Sequence, residues 1–468
     1  SEMVDYGLTV AQQVEAEGAA LLMNNGALPL AKDAKVSTFS SSSVNLVYGG
    51  TGSGNIDAST ADTLRTALEK VGVTVNPTLW DFYATGAGKD YTRANGGTVS
   101  TASATTAEVP WDVYTDDVKS SVAQYGDAAI VTLSRVGGEG ADLSYGEVNY
   151  LALDDNEKSM LENLDSMKKN GEIKSIIVLI NSANALQVDF LKNNDYDVDA
   201  ALWIGDVGIS GINAVAQILV GDVNPSGSLV DTYCYDNYSA PAMWNFTPSV
   251  YDGYVEGGDV PAKGSTYMIY QEGIYVGYRY FNTFRKQALF PFGYGLSYTE
   301  FRLGAAEVEA NGAQITVRTA VENIGVLAGR QVVQVYLSKP AGKLDAPWQE
   351  LCAFAKTRTL APGEAETVSC TFTLPEMAAY DAETASYILE AGDHLVRVGV
   401  SSAETVPAAV LHLDKTVTTL QAKNVLGCTD FTDLAAPAAT MDCPGGVPVI
   451  EIDPATIACE TIDYARTE

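Results

Sequence analysis

The run Ala128-Ala-Ile-Val-Thr-Leu133 opens into Ser134-Arg-Val-Gly-Gly-Glu-Gly-Ala-Asp-Leu-Ser144, and the reading of this junction decides the fold. A short apolar run that gives way to a Gly-rich, acid-bearing loop has the form of a buried strand ending at a site, because α/β proteins hold ligands beyond the carboxyl ends of their strands. Gly137, Gly138 and Gly140 flank Glu139, so the backbone there accepts close approaches that a Cβ forbids, and the Glu139 carboxylate can face a ligand. Composition alone describes a solvated surface loop equally well. The surrounding chain has to decide.

Towards the C-terminus, Asp154 to Asn170 reads as a helix, Lys174-Ser-Ile-Ile-Val-Leu-Ile180 as an apolar strand, and Ala200-Ala-Leu-Trp-Ile204 as another. The turn Gly205-Asp-Val-Gly208 and a helix over Ile209 to Val220 follow. Towards the N-terminus, Ala84 to Glu108 is a long surface excursion rich in Gly, Thr, Ser and Ala. Before it come the strand-like Val73-Thr-Val-Asn76, a helix over Thr60 to Gly72 and the alternating strand Lys35-Val-Ser-Thr-Phe-Ser40. Gly7 to Asn25, with Val10, Val14, Gly18 and Leu21 at helical spacing, reads as one amphipathic helix. Strands alternating with helices predict a layered sheet with helices on both faces, an α/β sandwich domain over residues 1–235.

The cluster Tyr48-Gly-Gly-Thr-Gly-Ser-Gly-Asn-Ile-Asp57 fails as a phosphate loop, since Asn55 stands where Lys is needed, and it also fails the GxGxxG spacing. It reads as a turn or a loop lining a cleft. Residues 236–300 are rich in Tyr, Gly and Phe. Aromatic rings there can stack on sugar faces, but Pro and Gly recurring between them favour a packing connector. From residue 301 to 413 the period becomes two, in Ile315 to Val321, Gln331 to Leu337, Glu366 to Thr373 and His394 to Val400, with turn signals between the runs. That is an all-β sandwich. His394 and His412 alternate with apolar neighbours and are expected to face outward. Residues 414–468 show little periodicity and read as a linker-like tail along the surface.

Composition excludes several classes. With 59 acidic against 28 basic residues and a net charge of −31, the chain is repelled by phosphate backbones and anionic lipid, so no nucleic acid partner is expected. No apolar run approaches the roughly 18 residues of a membrane span, so no membrane insertion is expected. Six scattered cysteines without a CxxC pair, and only two histidines, give poor support to a zinc site or a Ser-His-Asp triad; no metal and no cofactor are expected. The N-terminus carries no basic-then-apolar leader and opens on Ser1 rather than Met, as a trimmed chain would. Location stays open, with a reducing cytoplasm fitting the cysteine usage.

Five motifs in order now carry a resemblance. Ala16-Glu-Gly-Ala-Ala-Leu-Leu-Met-Asn-Asn-Gly-Ala-Leu-Pro-Leu30, the Gly-Gly-Glu-Gly-Ala-Asp loop, Gly221-Asp-Val-Asn-Pro-Ser-Gly-Ser-Leu229, Tyr275-Val-Gly-Tyr-Arg-Tyr-Phe281 and Phe292-Gly-Tyr-Gly-Leu-Ser-Tyr298 together resemble the α/β-sandwich domain of glycoside hydrolase family 3. Ala328-Gly-Arg-Gln-Val-Val-Gln-Val-Tyr336 and Leu360-Ala-Pro-Gly-Glu364 resemble its fibronectin type III-like domain. The match covers most of residues 7 to 412. The family consists mostly of retaining β-glycosidases, commonly β-glucosidases, acting on small oligosaccharides or glycosides. The resemblance implies that Glu139 is the general acid/base, which suits a carboxyl protonated in a partly desolvated cleft. Asp142 and Glu147 are neighbouring alternatives without the glycine flanks. Arg135 or Asp142 would orient the sugar or Glu139, or else form a structural salt bridge.

The family's nucleophilic Asp sits on a separate (β/α)8 barrel, usually in a Ser-Asp-Trp setting, and neither is found here. The resemblance therefore implies half of an active site, inactive alone, with the barrel elsewhere in the gene product or on another chain. In members with reordered domains the barrel follows the β-sandwich, where the tail ends. The family's Asp-Arg after the Gly-Glu-Gly is Asp142-Leu143 here, so no role for that arginine carries over. The rival expectation is a non-catalytic carbohydrate-binding or scaffolding protein; a nucleotide-binding α/β protein suffers from the failed glycine spacing.

Overall fold

In the computed structural model the described residues are 2–93, 105–137, 143, 149–244, 249–251, 266–424, 432–436 and 443–462. Contacts divide the chain into two compact units: residues 1–235 with 294–300 and 326–329, and residues 236–293, 301–325 and 330–468.

The first unit is built on six strands: β1 (Ala20–Asn24), β2 (Lys35–Phe39), β3 (Thr74–Val75), β4 (Ala128–Ser134), β5 (Ile176–Asn181) and β6 (Ala200–Trp203). Their spatial order is β1-β6-β5-β4-β2-β3, with β1 antiparallel to β6 and every other pair parallel. β4 and β5 are buried along their whole length, which their unbroken apolar runs require of strands covered on both faces. The helices are α1 (Glu2–Gly18), α2 (Leu64–Lys70), α3 (Pro77–Ala84), α4 (Asp116–Ser121), α5 (Asp155–Lys169), α6 (Phe190–Asn193) and α7 (Gly211–Leu219). Val36, Ile130, Ile177, Leu179 and Leu202 form one sheet face and share a core with Leu64 and Leu68 of α2 and Ile212, Val215 and Leu219 of α7. α5 packs on β5 with Met160, Leu161 and Leu164 buried.

Gly7 to Asn25 is not one helix. α1 ends at Gly18 with no buried residue, leaving Val14 66% exposed, and Ala20–Asn24 is the edge strand β1. The cause is legible: consecutive Leu21 and Leu22 are both fully buried, so both faces of that segment need cover, which a strand provides and a one-sided surface helix does not. The Phe-Gly-Tyr-Gly motif also finds its reason here. Leu296 bridges Leu21, and Tyr294 donates its hydroxyl to the Leu22 carbonyl at 3.1 Å. A Cβ on Gly295 would stand 1.9 Å from the carbonyl oxygen of Gly227, so two backbones of two motifs touch where only hydrogen fits.

The second unit holds a short hairpin, β7 (Ser249–Val250) with β8 (Thr266–Tyr267), and a helix α8 (Tyr278–Thr283). Around α8, Tyr275, Tyr280, Phe281 and Phe290 are buried, and Tyr278 stacks on Phe292 at 4.7 Å. A β-sandwich follows. One sheet orders β10 (Glu307–Asn311), β11 (Gln314–Asn323) and β14 (Ala365–Thr373), with β9 (Phe301–Leu303) also on β11. The facing sheet orders β13 (Glu350–Lys356), β12 (Val332–Ser338), β17 (Gly392–Ser401), β18 (Glu404–Leu413) and β20 (Val449–Ile452). Val317, Val321 and Phe372 of the first meet Val335, Leu337, Val396 and Leu411 of the second in one core. A smaller sheet orders β15 (Ala379–Asp381), β16 (Ser386–Leu389), β19 (Val417–Gln421) and β21 (Glu460–Thr461).

Two expectations change here. The stretch 414–468 is more than a surface linker: β20 pairs in parallel with β18, and Ile452 and Ile457 enter the sandwich core, the two-residue alternation of Val449-Ile-Glu-Ile452 being its signature. His394 faces inward, 3% exposed, and burial pushes its imidazole down to about 4, so it is neutral at pH 7. His412 is half-buried and sits 2.7 Å from the Asp393 carboxylate, which raises its pKa. No helix among the described residues is long and apolar enough to cross a membrane, and none of their sheets closes into an eight-stranded parallel barrel. No disulfide joins the five described cysteines.

Candidate active site at the carboxyl edge of the parallel sheet

From β2 the chain moves to β3 on one side, then returns to β4 on the other and proceeds outward through β5 to β6. The carboxyl ends of β2 and β4 therefore bound the topological switch point, where open α/β sheets place their sites. The two strands end at Phe39 and Ser134, and the loops that leave them set the candidate site. Glu139, Asp142 and Glu147 lie outside the described residues, as do Gly138 and Gly140. The stems of their loop are described. At Gly137 a Cβ would lie 2.3 Å from Asn184 Oδ1, so this glycine allows the chain to leave β4 pressed against a neighbouring side chain.

Arg135 points inward and is fully buried. Its Nη1 donates to Ser134 O at 2.9 Å and Glu157 Oε1 at 2.8 Å, its Nη2 to Ala152 O at 2.7 Å and Glu157 Oε2 at 2.8 Å, and its Nε to Tyr150 O. All five guanidinium hydrogens are thereby engaged within the protein, as the structural alternative for this residue requires. Burial alone would lower the Arg135 pKa, but the Glu157 charge and its hydrogen bonds more than reverse this. Removing one partner of such a pair costs about 3–5 kcal/mol. Glu157 is in turn fixed at the start of α5 by a capping box, Glu157 N–H donating to Asp154 Oδ1 at 2.7 Å and Asp154 N–H to Glu157 Oε2 at 3.0 Å. The spacing Asp154-x-x-Glu157 is the sequence signal by which this partner could have been found.

Beside it, Asn181 ends β5 as a buried hub. Its Nδ2 donates to Val47 O at 3.0 Å and Gly205 O at 2.7 Å, and its Oδ1 accepts from Val47 N at 2.7 Å and Ser134 Oγ at 2.8 Å. One amide thus joins the loops that follow β2 and β6 to the end of β4. Ser40, left-handed at φ 88°, turns the chain out of β2; its Oγ donates to Thr132 O at 2.6 Å and its N–H to Tyr83 Oη at 2.9 Å. Arg93, also buried, donates to Ser42 Oγ and Asn45 O, and burial lowers its pKa to about 10.

Glu15, Asp206, Glu108 and Asp154 at this edge all have raised pKa values, Asp154 through burial and then the Glu157 charge. Glu15 is pushed up to about 8 by burial and then by the Asp206 charge, and Asp206 is raised by burial. Glu108 is fully enclosed and pushed up to about 8, first by burial and further by Glu157, while its carboxyl accepts from Ser41 N and Val109 N. None was singled out from the sequence, since burial is what makes them unusual. For Glu108 the folded pKa exceeds the ordinary 4.5, so its ionisation favours unfolding and stability falls as pH rises from about 4.5 to about 8. Glu108→Gln is expected to flatten this loss by about 1 kcal/mol or more between pH 5.5 and 8.5 in thermal or denaturant unfolding. Parallel pH profiles for variant and parent would show that Glu108 is already ionised.

The Glycosyl hydrolase family 3 C-terminal domain matches residues 19–298, and the Fibronectin type III-like domain matches residues 331–402. The chain belongs to glycosyl hydrolase family 3. It is 33% identical over 426 residues to a β-glucosidase of Ruminococcus albus, covering 88% of this chain and 42% of that protein. It is 32% identical over 432 residues to β-glucosidase A of Butyrivibrio fibrisolvens, covering 83% and 49%. The chain thus spans about half the length of these relatives, or less. Among solved structures, β-glucosidase 3B of Thermotoga neapolitana in complex with glucose superposes with a TM-score of 0.76 at 30% identity, covering 89% of this chain and 55% of that one. A β-glucosidase of Paenibacillus barengoltzii does so at 0.75 and 28%, covering 93% and 48%.

Proposed function

We propose that this chain supplies the general acid/base, Glu139, of a retaining β-glucosidase whose nucleophilic aspartate lies on a (β/α)8 barrel outside residues 1–468. The observation that supports the reading is where β4 ends: a fully buried central strand reaches the switch point and leaves it on a firmly held stem, and in the sequence the Gly-flanked Glu139 follows that stem. Membership of family 3 and relatives named as β-glucosidases support it.

The chemistry divides naturally between two bodies. A retaining enzyme needs two carboxyl groups about 5–5.5 Å apart, one to attack the anomeric carbon and one to protonate the leaving oxygen and later activate water. Glu139 takes the second role. The substrate is a terminal β-linked glucoside or small oligosaccharide, and residues 1–468 alone do not turn it over.

The full-length gene product is expected to release the β-anomer first, read by proton NMR. A C2-fluorinated β-glucoside with a good leaving group, followed by peptide mapping, is expected to label an aspartate outside residues 1–468. A label within them, release of the α-anomer first, or enzymatic turnover by the isolated chain would overturn the division. Saturable oligosaccharide binding with no hydrolysis by the full-length product would instead support a non-catalytic role.

A further inference from the structure

Arg135 does more than neutralise Glu157. Its guanidinium grips both stems of one loop: Ser134 on the outgoing side, and Tyr150 and Ala152 on the returning side. A second tie runs in the same direction, since Val136 N–H donates to Tyr150 Oη at 3.0 Å while the Tyr150 ring lies 5.4 Å from the guanidinium. The returning stem is held once more where Gln187 N–H donates to Leu151 O at 2.7 Å. Glu157 anchors the grip to the first turn of α5, and the Arg135 N–H reaches Asn181 O, the last residue of β5. The two stems are therefore fixed to each other and to a helix through one planar, five-donor group, a job that lysine's single ammonium cannot do, and to the central sheet through the Arg135 backbone.

We propose that Arg135 and Glu157 are positioning residues for Glu139, setting through the two stems the place from which its carboxyl meets the leaving oxygen. The proposal rests on the reading of Glu139 as acid/base. Proton transfer in the transition state is steeply sensitive to placement, and a displacement of about 1 Å costs on the order of 100-fold. Positioning therefore leaves a signature that a purely structural role does not: the loss appears where protonation limits the rate and vanishes where the leaving group departs unaided.

The test uses the full-length gene product and two substrates, phenyl and dinitrophenyl β-glucoside, with parent, Arg135→Met/Glu157→Met and Glu157→Gln. The double substitution removes both buried charges together, so neither is left uncompensated. Melting curves establish which variants fold, and Glu157→Gln, which keeps an acceptor for the guanidinium, is read if the double variant does not. The expected result is a fall in kcat/KM of about 10- to 100-fold on the phenyl glucoside against less than about 3-fold on the dinitrophenyl glucoside. Equal losses on both substrates, or none, overturn the proposal. Glu139→Ala is measured alongside. If it shows the acid/base signature while the clamp variants keep the parent's substrate ratio, only the clamp is overturned; if Glu139→Ala lacks that signature, the reading beneath it fails as well.

Discussion

Glu139→Ala in the full-length gene product is expected to lower kcat/KM for poorly activated β-glucosides by about 100- to 10,000-fold, the range supplied by general acid catalysis. For a dinitrophenyl glucoside the first step should survive nearly intact, because that phenolate needs no proton. The second step should then become limiting, since no carboxylate remains to deprotonate water, and a glycosyl-enzyme should accumulate as a burst. Azide attacks the anomeric carbon without help from a base. Adding it should restore turnover on the activated substrate and yield a β-glucosyl azide. The same losses on every leaving group, with no azide rescue, would move the proton donor elsewhere and leave the Gly-Glu-Gly segment as a turn. Glu147, which has a glycine, Gly146, on one side only, would be the next residue to replace.

The sheet was legible because its strands advertise themselves. Ala128–Ser134 and Ile176–Asn181 are unbroken apolar runs, and unbroken runs of that length are what a strand covered on both faces needs. The period-two runs of the sandwich were legible because alternate side chains of a strand with one face on the core are buried, as in β11 and β14. The errors fall where a pattern has two physical solutions. Val10, Val14, Gly18 and Leu21 match helical spacing across a real boundary, and Gly18 ends the helix just before two leucines that bury opposite faces of a strand. Pro77–Ala84 went unread as a helix although Asn76-Pro77 is a cap followed by proline at the first position, Asn76 Oδ1 accepting from Thr78 N and Leu79 N. His394 follows the alternation of its strand, but alternation does not say which face is covered.

The candidate site was legible as a location and much less so as a network. A strand running into a Gly-flanked acid names the edge of the sheet, whereas the partners that hold that edge come from distant sequence. Arg135 could be named, but its choice between a sugar and a salt bridge depends on Glu157, 22 residues on, and on carbonyls at Tyr150 and Ala152 that have no side-chain signature at all. Glu108 and Asp206 look like ordinary loop acids until the fold buries them.

Asn181→Leu should cost about 3–5 kcal/mol of stability, as much as removing one partner of the Arg135–Glu157 pair, and it was the least visible in sequence. The residue sits after the apolar run Lys174 to Ile180, where leucine would look harmless. Its amide, fully buried, makes all four of the hydrogen bonds it can make. Leucine is of similar size, so the loss is not a cavity but a set of orphaned partners. Val47 O keeps the Val207 N–H as a donor, at 3.3 Å, whereas Val47 N and Gly205 O lose the partner that Asn181 supplied. Each unsatisfied buried group costs about 1–3 kcal/mol. Asn181→Asp separates geometry from chemistry: the carboxylate can still accept from Val47 N and Ser134 Oγ but cannot donate to Val47 O and Gly205 O, and it adds a buried charge, so it should destabilise as strongly as leucine at pH 7 and less at low pH, where the carboxyl is protonated. Denaturant unfolding of the isolated chain measures both variants against the parent. A loss below about 1 kcal/mol for Asn181→Leu would show that the loops after β2 and β6 and the end of β4 hold their places without this amide.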